Sequence, residues 1–291
     1  MIKSENLNPD VSFRKWQCYQ YCYICENYEV PINEKLSFKK IENEFLQTNS
    51  KQKAFFAQYI TAFDVEEHTE WWFTIKDDEY DLSKLKSKRR YEITKARKFC
   101  YAKRINAKDY TSELYECYKK SFSVYPEKYR PQNISFENFL SFVEDWDDSR
   151  KFRLYAVFNL ETKLLIGFLL VEIKGKFIKL VIQKTIPEYE HYNSNALLVD
   201  CFLNEWNEKL KERSVIITNG SRSIKHETNF NAYLEKYFGF RKAYAKLRVV
   251  YRFPFGIIVK LLIPFRKILK NTSNSFLYNI YCVLKMDSFS K

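Results

Sequence analysis

The amino-acid sequence predicts an α+β protein in which helices flank a mixed β-sheet. Three observations support this class. Hydrophobic residues make up 46% of the 291 residues, which is enough for a sizeable core. Runs rich in β-branched and aromatic residues alternate with segments whose apolar residues recur at helical spacing. A tight link, Lys174-Gly175, joins two of the predicted strands as in a hairpin.

The N-terminal part begins with a cysteine–tyrosine segment. Cys18, Cys22 and Cys25 alternate with tyrosines, which predicts a half-buried apolar strand. Their C-x3-C-x2-C spacing resembles the cluster-binding loop of radical SAM enzymes, but the glycine-rich contacts that accompany such loops are missing from the sequence. No fourth ligand for zinc stands nearby. We therefore expect free thiols and no metal site.

The remaining elements follow from periodicity and from flanking turn residues. The sequence predicts helices over 34–46, 81–100, 110–121, 136–145, 194–211 and 230–238, and strands over 54–63, 71–75, 101–105, 152–158, 164–173, 177–183, 215–218 and 243–251. Asp81 is the predicted N-cap of the second helix. In that helix Arg89 falls inside the apolar stripe, whereas Lys86, Arg90 and Arg97 recur on another side.

Positive charge is concentrated in two segments. The chain has 49 basic and 36 acidic residues, so its net charge is +13 (49 − 36). Residues 82–104 contain ten basic residues and one acid, and residues 252–270 contain five basic residues and no acid. Each segment is either a contact for phosphates or anionic lipid head groups, or a solvated surface.

The glycine and histidine residues exclude several classes of enzyme. The five glycines lie at least eight positions apart, so the chain has no Walker A loop, no Rossmann G-x-G-x-x-G and no G-x-S-x-G elbow. Three scattered histidines without an H-E-x-x-H sequence disfavour a histidine metal site. The first ten residues are polar, and no apolar run approaches the about 20 residues that span a bilayer. We expect a cytoplasmic protein, open to peripheral association with the inner face of a membrane.

From residue 101 onward the predicted order is β-α-α-β-β-β-α-β-α-β, which resembles the GNAT acyltransferase superfamily. The closing YLEKYFGFRKAYAKLRVVY, residues 233–251, is similar to that superfamily's last helix, its glycine-phenylalanine stop and the following strand. More narrowly, Trp71-Trp72 and the segment LSKLKSKRRYEITKARK at 82–98 resemble the FemA/FemB-like branch, which carries a basic R-x-x-I-x-K-A segment. In that branch a second, degenerate GNAT unit precedes the first.

The resemblance implies a GNAT-like mixed sheet flanked by helices and a division of the chain into three parts. Residues 1–100 would form the degenerate GNAT-like unit, ending in the basic helix. Residues 101–252 would form the acyltransferase domain, and residues 253–291 an amphipathic, basic C-terminal segment. The oligomeric state is left open.

The resemblance also implies where an acyl donor binds. Two central parallel strands of the GNAT fold splay apart, and the pantetheine arm of acyl-CoA pairs with one of them, here the strand from Leu180 to Gln183, with Leu180, Val181 and Ile182 as the expected contacts. The pyrophosphate then lies at the N-terminus of the next helix, and the residues there are Ser194, Asn195 and Ala196.

The chain departs from the family at this helix. The usual glycine-rich pyrophosphate loop is replaced by PEYEHYNSNALL, in which Glu188 and Glu190 would repel phosphate. Members of the FemA/FemB-like branch often lack the loop, and some use aminoacyl-tRNA as donor. The basic helix would suit an RNA donor, because neutralising phosphates drives affinity for RNA.

Proton transfer is expected near the last helix. Many family members place an acidic tyrosine four residues before the glycine, and Glu235 has that position here. Tyr233 and Tyr237 flank it and are candidate catalytic residues, although their spacing equally fits core packing. His226 is a candidate general base because imidazole titrates near neutral pH, with a capping or surface histidine as the alternative.

The polar stretch at residues 219–229 follows a predicted strand and is expected to contact ligand. We expect substrate contacts from Lys184, Asn219 and Glu227, and donor contacts from Arg222 and Asn229. Lys184 and Arg222 would clamp an anionic group, or are simply surface charges.

The C-terminal FPFGIIVKLLIPFRKILK, residues 253–270, is apolar with basic residues at intervals. It predicts either a helix packed on the body or a segment lying on a membrane surface. In the second case Ile257, Leu261 and Phe265 would dip inward, and the lipid heads would be met by Lys260, Arg266, Lys267 and Lys270.

The favoured hypothesis is an acyltransferase. It would move an acyl or aminoacyl group from a CoA thioester or aminoacyl-tRNA to an amine or hydroxyl, and family analogy suggests a cell-envelope sugar or precursor as acceptor. The alternative is a non-catalytic binder of RNA or of an anionic membrane surface on the same fold.

Overall fold

The structure, a computed structural model, describes residues 15–25, 32–125, 130–131, 135–224 and 229–290. The chain forms two compact units. Unit 1 comprises residues 1–73, 221–228 and 243–291, and unit 2 comprises residues 74–220 and 229–242. The α+β class with a mixed sheet flanked by helices is confirmed, whereas the three-part division at residues 100 and 252 stays a prediction.

The described residues form strands and helices that alternate along most of the chain. In chain order they are β1 (Trp16–Tyr19), β2 (Cys22–Cys25), α1 (Phe38–Thr48), β3 (Phe56–Val65), β4 (Trp72–Lys76), α2 (Ser87–Ala96), β5 (Cys100–Ile105), α3 (Thr111–Lys120), α4 (Phe136–Val143), β6 (Phe152–Asn159), β7 (Leu165–Lys174), β8 (Phe177–Thr185), α5 (Ser194–Lys211), β9 (Ile216–Ser221), α6 (Asn229–Phe238), β10 (Arg241–Tyr251), α7 (Phe255–Leu262), α8 (Arg266–Leu269) and α9 (Ser275–Phe289).

In unit 1 the strands lie in the order β1-β2-β3-β10. The predicted single cysteine–tyrosine strand is instead a hairpin, because Gln20 and Tyr21 both adopt left-handed backbone (φ 48° and 62°) and reverse the chain. Neither residue is a usual turn former, so the sequence carries no clear signal for this reversal. Helix α1 buries Ile41 and Phe45 against this sheet, and the rings of Phe45 and Tyr23 lie 4.5 Å apart between centroids.

In unit 2 the strands lie in the order β4-β9-β8-β7-β6-β5. Strands β5 to β8 are antiparallel neighbours, and β8 pairs with β9 in parallel. The predicted tight link between β7 and β8 is confirmed: Lys174 pairs with Phe177, and Gly175 takes a left-handed φ of 56°.

Helices cover both faces of the unit 2 sheet. Along β6, Tyr155 and Val157 point into a core that includes residues of α2, α5 and α6. Leu154 and Phe158 alternate to the opposite face, where the core includes residues of α3 and α4. The Trp206 indole donates to the Tyr155 hydroxyl at 2.9 Å, which fixes α5 on the sheet.

The predicted basic helix begins later than expected. Asp81 does not cap α2 but a short 3₁₀ turn at Leu82–Lys84, where its carboxylate accepts from the Ser83 N–H at 2.8 Å. Helix α2 starts only at Ser87. Arg89, predicted within the apolar stripe, is 6% exposed, whereas Lys86 and Arg90 are exposed.

The last part of the chain belongs to unit 1 and contains α7, α8 and α9. Val259 of α7 and Leu284 of α9 are buried. Nowhere in the described residues is there a helix of the length and apolarity that crossing a membrane requires.

Candidate functional site

The parallel pairing of β8 and β9 in unit 2 is short. The residue pairs are Phe177–Ile216, Ile178–Ile217 and Lys179–Thr218. Both strands continue beyond these pairs, yet along their described residues no further pair follows. The edge of β8 that faces β9 is therefore open from Leu180 onward, and its backbone N–H and C=O groups are available to a ligand.

A bulge in β8 lies at the point where the strands part. On the β7 side, Val171 pairs with Leu180 and Leu170 pairs with Ile182, so Val181 is the extra residue. Val181 is 44% exposed, while Leu180 is buried and Ile182 half-buried. A bulge bends a strand and increases its twist, which accounts for the separation of β8 from β9.

Helix α5 follows β8 after a short 3₁₀ turn, and its first residues keep free donors. Asn193 precedes the helix in left-handed backbone (φ 58°) and makes no side-chain cap. The N–H of Ala196 donates to the Asn193 carbonyl at 3.0 Å. Ser194 and Asn195 are the first two residues of α5, so their N–H groups have no acceptor within the helix. Free N–H groups and the helix dipole favour an electronegative group at this end.

Two buried side-chain oxygens lie beside this first turn. Ser194 Oγ and Gln183 Oε1 have no hydrogen-bond partner among the described residues. Gln183 Nε2 donates to Asn195 Oδ1 at 2.9 Å, which holds this β8 side chain against the start of α5. An unpartnered buried polar atom costs about 1–3 kcal/mol, and a ligand at this end of the gap would supply the missing bonds.

A chain of hydrogen bonds reaches the parting point of the strands from α6. Thr218, the last β9 residue paired with β8, donates through its hydroxyl to the Thr74 carbonyl at 3.2 Å. The Thr74 hydroxyl in turn donates to Glu235 Oε1 at 3.4 Å. Two residues, Thr218 and Thr74, thus connect the gap to the half-buried Glu235 carboxylate. Asn231, one turn earlier in α6, accepts a hydrogen bond from the Asn219 amide.

Tyr233 and Tyr237 lie on another flank of α6. The Arg89 guanidinium of α2 lies 4.2 Å from the Tyr237 ring centroid and 4.9 Å from that of Tyr233. It also donates to the Tyr233 hydroxyl at 3.3 Å. Burial raises the pKa of Tyr233 to about 12, so its phenol keeps its proton at neutral pH. Both tyrosines therefore contact α2.

The other predicted site residues are spread over several places. Lys184 extends over the rings of Phe122 and Tyr125, with its Nζ 4.0 and 5.2 Å from their centroids, and burial lowers its pKa. It neighbours Gln183 along the strand, so the two side chains point to opposite faces. Asn229 is exposed at the start of α6. His226 and Glu227 lie outside the described residues.

Arg222 belongs to unit 1. Its guanidinium pairs with the Glu70 carboxylate at 2.9 Å and lies 4.2 Å from the Trp72 ring centroid and 4.6 Å from that of Phe289. These contacts satisfy the arginine within unit 1.

Sequence reasoning missed Thr74, and it expected Gln183 and Thr218 only as the ends of the two strands that splay apart, with no role for their side chains. Nothing in the periodicity marks them, because each looks like an ordinary strand residue. Glu235 did carry a signal, because the resemblance to GNAT acyltransferases implies an acidic tyrosine at its position, but the apolar spacing favoured its neighbours Tyr233 and Tyr237.

In the described part of the chain, no three His, Cys, Asp or Glu side chains are grouped as metal ligands. The cysteines there are free thiols. Burial raises the pKa of Cys117 to about 12 and that of Cys201 to about 11, which keeps both protonated at neutral pH.

No known family profile and no curated protein matches the chain. Among solved structures it is similar to FemX, with 10% identity and a TM-score of 0.47 over 66% of this chain and 63% of the FemX chain. It is also similar to a C-terminal DUF2156 domain from Agrobacterium fabrum, with 9% identity and a TM-score of 0.47 over 84% and 82%. A tandem GNAT protein from the clavulanic acid biosynthesis pathway has 8% identity and a TM-score of 0.45 over 79% and 75%. At these values the function has to be argued from the site itself.

Proposed function

We propose that the protein is an acyltransferase that moves an acyl or aminoacyl group to an amine or hydroxyl. The observation that carries the proposal is the gap between β8 and β9, which opens at a bulge and ends at the start of α5. An open strand edge binds an extended ligand as an added strand does, through main-chain hydrogen bonds. A thin arm that ends in an activated carbonyl fits such an edge.

The far end of the donor would meet the first turn of α5. The free N–H groups of Ser194 and Asn195 favour electronegative atoms there, and Ser194 Oγ and Gln183 Oε1 add one hydroxyl and one acceptor. These neutral groups suit hydroxyls and amides as well as phosphate oxygens. A CoA thioester and an aminoacyl-tRNA ester share this chemistry, so both are tested as donors.

An RNA donor would find a second surface on unit 2. Around α2 the side chains of Lys86, Lys88, Arg90 and Lys98 are exposed, and Tyr91, 67% exposed, adds a ring on which a base can stack. Arg89 takes no part, because it is buried beneath the α6 tyrosines. Phosphate contacts of this kind weaken steeply with salt.

The chemistry requires a proton acceptor near the gap. The nucleophilic nitrogen or oxygen bonds to the donor carbonyl carbon, the bond from that carbon to the donor sulfur or ribose oxygen breaks, and the nucleophile's proton ends on the leaving group. We assign Glu235 as the base that takes this proton and passes it on. The roles predicted from the sequence, Tyr237 or Tyr233 as the acid and His226 as the base, are the alternative to this assignment of Glu235. The acceptor proposed by family analogy is a cell-envelope amino sugar or its precursor.

A single hydroxyl gives a sharp test of the donor site. Replacing Ser194 with Ala removes an unpartnered buried oxygen, so the free protein should be as stable as the wild type or more so. The affinity for the donor should nevertheless fall by about fivefold to tenfold, the value of one hydrogen bond. Calorimetric titration with CoA, acetyl-CoA and aminoacyl-tRNA measures this affinity, and thermal unfolding measures stability.

Ser121→Ala is the matched control. Ser121 is also buried, but its hydroxyl donates to the Tyr118 carbonyl at 2.6 Å. This variant should lose stability and keep donor affinity, the opposite of Ser194→Ala. If the wild type binds neither thioester nor aminoacyl-tRNA, the transferase proposal is wrong.

A further inference from the structure

Unit 1 carries a continuous run of exposed aromatic rings. Tyr21, at the tip of the β1–β2 hairpin, lies 5.4 Å from Phe55 between ring centroids, and Phe55 stacks on Phe255 of α7 at 5.3 Å. Tyr21 and Phe55 are exposed large side chains, and Phe253 just before α7 is 82% exposed. The rings therefore link the hairpin tip to the C-terminal helices within one unit.

Backbone hydrogen bonds hold this run in place. The Phe55 N–H donates to the Tyr21 carbonyl at 2.9 Å, and the Arg252 N–H donates to the Phe55 carbonyl at 2.9 Å. Val259 anchors α7 by packing inside the unit at 3% exposure. The exposed side chains are thus presented by a fixed backbone, so ordering them on a ligand costs little conformational entropy.

Helix α7 presents an apolar arc to solvent. Ile257, Ile258 and Leu261 are 52%, 45% and 67% exposed, and at 100° per residue they fall within an arc of about 100°. Lys260 borders this arc on one side. Phe265 and Ile268, further along, are also exposed. We call these apolar side chains, together with Tyr21, Phe55 and Phe253, the aromatic–basic face, whose charged members are Lys260, Arg266, Lys267 and Lys270.

The charges of this face have one sign. Residues 252–270 contain five basic residues and no acid. Arg252 lies 4.0 Å from Glu42, whereas the four other cations have no acidic partner among the described residues. Apolar side chains bordered by unpaired cations complement a bilayer surface with anionic head groups.

Other occupants fit less well. A second copy of the chain would bring four unpaired cations against the same four, which like-charge repulsion disfavours. A nucleic acid would satisfy the cations but leave the aliphatic side chains of α7 in water, because Ile and Leu offer no stacking surface for bases.

We propose that the aromatic–basic face binds the surface of an anionic lipid bilayer. Phe253 and the arc of α7 enter the boundary between head groups and acyl chains, and Lys260, Lys267 and Lys270 contact lipid phosphates. This inference does not rest on the proposed transferase activity, because it uses other residues and another unit.

Vesicle co-sedimentation of the full chain tests the proposal. The probes are vesicles of pure phosphatidylcholine and of equimolar phosphatidylcholine and phosphatidylglycerol. We expect binding to the anionic vesicles that weakens with salt. The double variant Ile257→Asp/Leu261→Asp should bind at least about tenfold more weakly, because each aliphatic side chain buried in lipid adds that order of affinity. Lys267→Glu/Lys270→Glu should lose a similar factor.

The matched controls are Leu140→Asp, an exposed leucine of α4 in unit 2, and Lys108→Glu, an exposed lysine of that unit. Both should bind vesicles like the wild type, and circular dichroism verifies that every variant is folded. Equal binding to both vesicle types, or full binding by Ile257→Asp/Leu261→Asp, would overturn the proposal. So would two other outcomes: self-association in light scattering that the aspartates abolish, or retention of RNA that only the glutamates abolish.

Discussion

Two flanks of α6 each carry a pair of residues spaced i and i+4, and the two pairs make different contacts. On one flank Tyr233 and Tyr237 pack around the buried Arg89 guanidinium. On the other, Asn231 and Glu235 face β9 and β4, through hydrogen bonds with Asn219 and Thr74. The buried Leu234 and Phe238 separate the flanks.

The comparison teaches where chemistry and packing divide on an amphipathic helix. Spacing of i and i+4 marks side chains that share a neighbour, and here the shared neighbour is α2. Glu235, two residues after Tyr233, faces β4 instead, and β4 is hydrogen-bonded to β9 at Thr218, where the open edge of β8 begins. The tyrosine flank is accordingly expected to govern stability, and the polar flank to govern turnover.

The largest effect should come from Glu235→Gln. The amide keeps an oxygen for the Thr74 hydroxyl, so the fold should not change, but it cannot accept the nucleophile's proton. We expect the rate of acyl transfer to fall about 10²-fold to 10⁴-fold, measured as product formed per folded molecule under saturating donor.

Tyr237→Phe is the control on the opposite flank and should transfer at the rate of the wild type. The reverse pattern, a slow Tyr237→Phe and an unaffected Glu235→Gln, would assign the chemistry to the tyrosine flank and erase the distinction between the flanks.

The next largest effect should be a loss of folding stability when Arg89 is replaced. Arg89 forms an ion pair with Glu92 at 2.8 Å, although Arg89 Nε and Glu92 Oε2 have no well-aligned hydrogen bond among the described residues. Arg89→Ala leaves this carboxylate without its cation in a largely buried place, which should cost about 3–5 kcal/mol of unfolding free energy. Denaturant titration measures the loss.

Arg90→Ala, next along α2, removes an exposed arginine that donates only to the Ser83 and Leu85 carbonyls. It should cost less than about 1 kcal/mol. If the two alanine variants were equally stable, the buried guanidinium would not organise the tyrosine flank.

The smallest effect belongs to Tyr233→Phe, which removes the hydroxyl that accepts from Arg89. We expect a loss of about 1 kcal/mol near neutral pH. The pH dependence of folding stability gives a second test of this hydroxyl. Burial raises the pKa of Tyr233 to about 12 in the folded protein, against about 10 for an exposed tyrosine.

The contribution of the buried Tyr233 hydroxyl to stability is therefore present below about pH 10 and is lost as the pH rises through about 12. The reason is that the folded state then holds a proton that the unfolded state has released. The wild type should lose stability relative to Tyr233→Phe across this window. Parallel denaturant titrations of both proteins measure the difference, and identical pH profiles would show that this phenol is not buried as described.

The order of elements could be predicted because it depends on local patterns. The run of apolar residues from Phe230 to Phe238 defines α6, and α5 ends at Lys211 as predicted. Predictions were wrong where local signals compete: Asp81 caps the nearer 3₁₀ turn, and the hairpin at Gln20 and Tyr21 lacks the usual turn residues.

Within the site, the donor contacts predicted from the sequence lie on the open strand and at the helix start, and their role in binding stays a prediction. Leu180, Val181 and Ile182 do line the open edge of β8, and Ser194 does begin α5. The side-chain contacts of Gln183, Thr74 and Thr218 could not be predicted, because they depend on which element lies beside each residue.

By itself, then, the sequence determined the kinds of element, their order and the two basic segments, since these follow from periodicity and charge along the chain. Only the tertiary structure decided that the β8–β9 pairing stops at Lys179 and Thr218, that Arg89 is buried between α2 and α6, and that the Tyr21 ring contacts Phe55. The physical reason is that hydrogen-bond registers, burial of a charge and ring contacts are properties of residues far apart in the chain, and no local pattern specifies which of them meet.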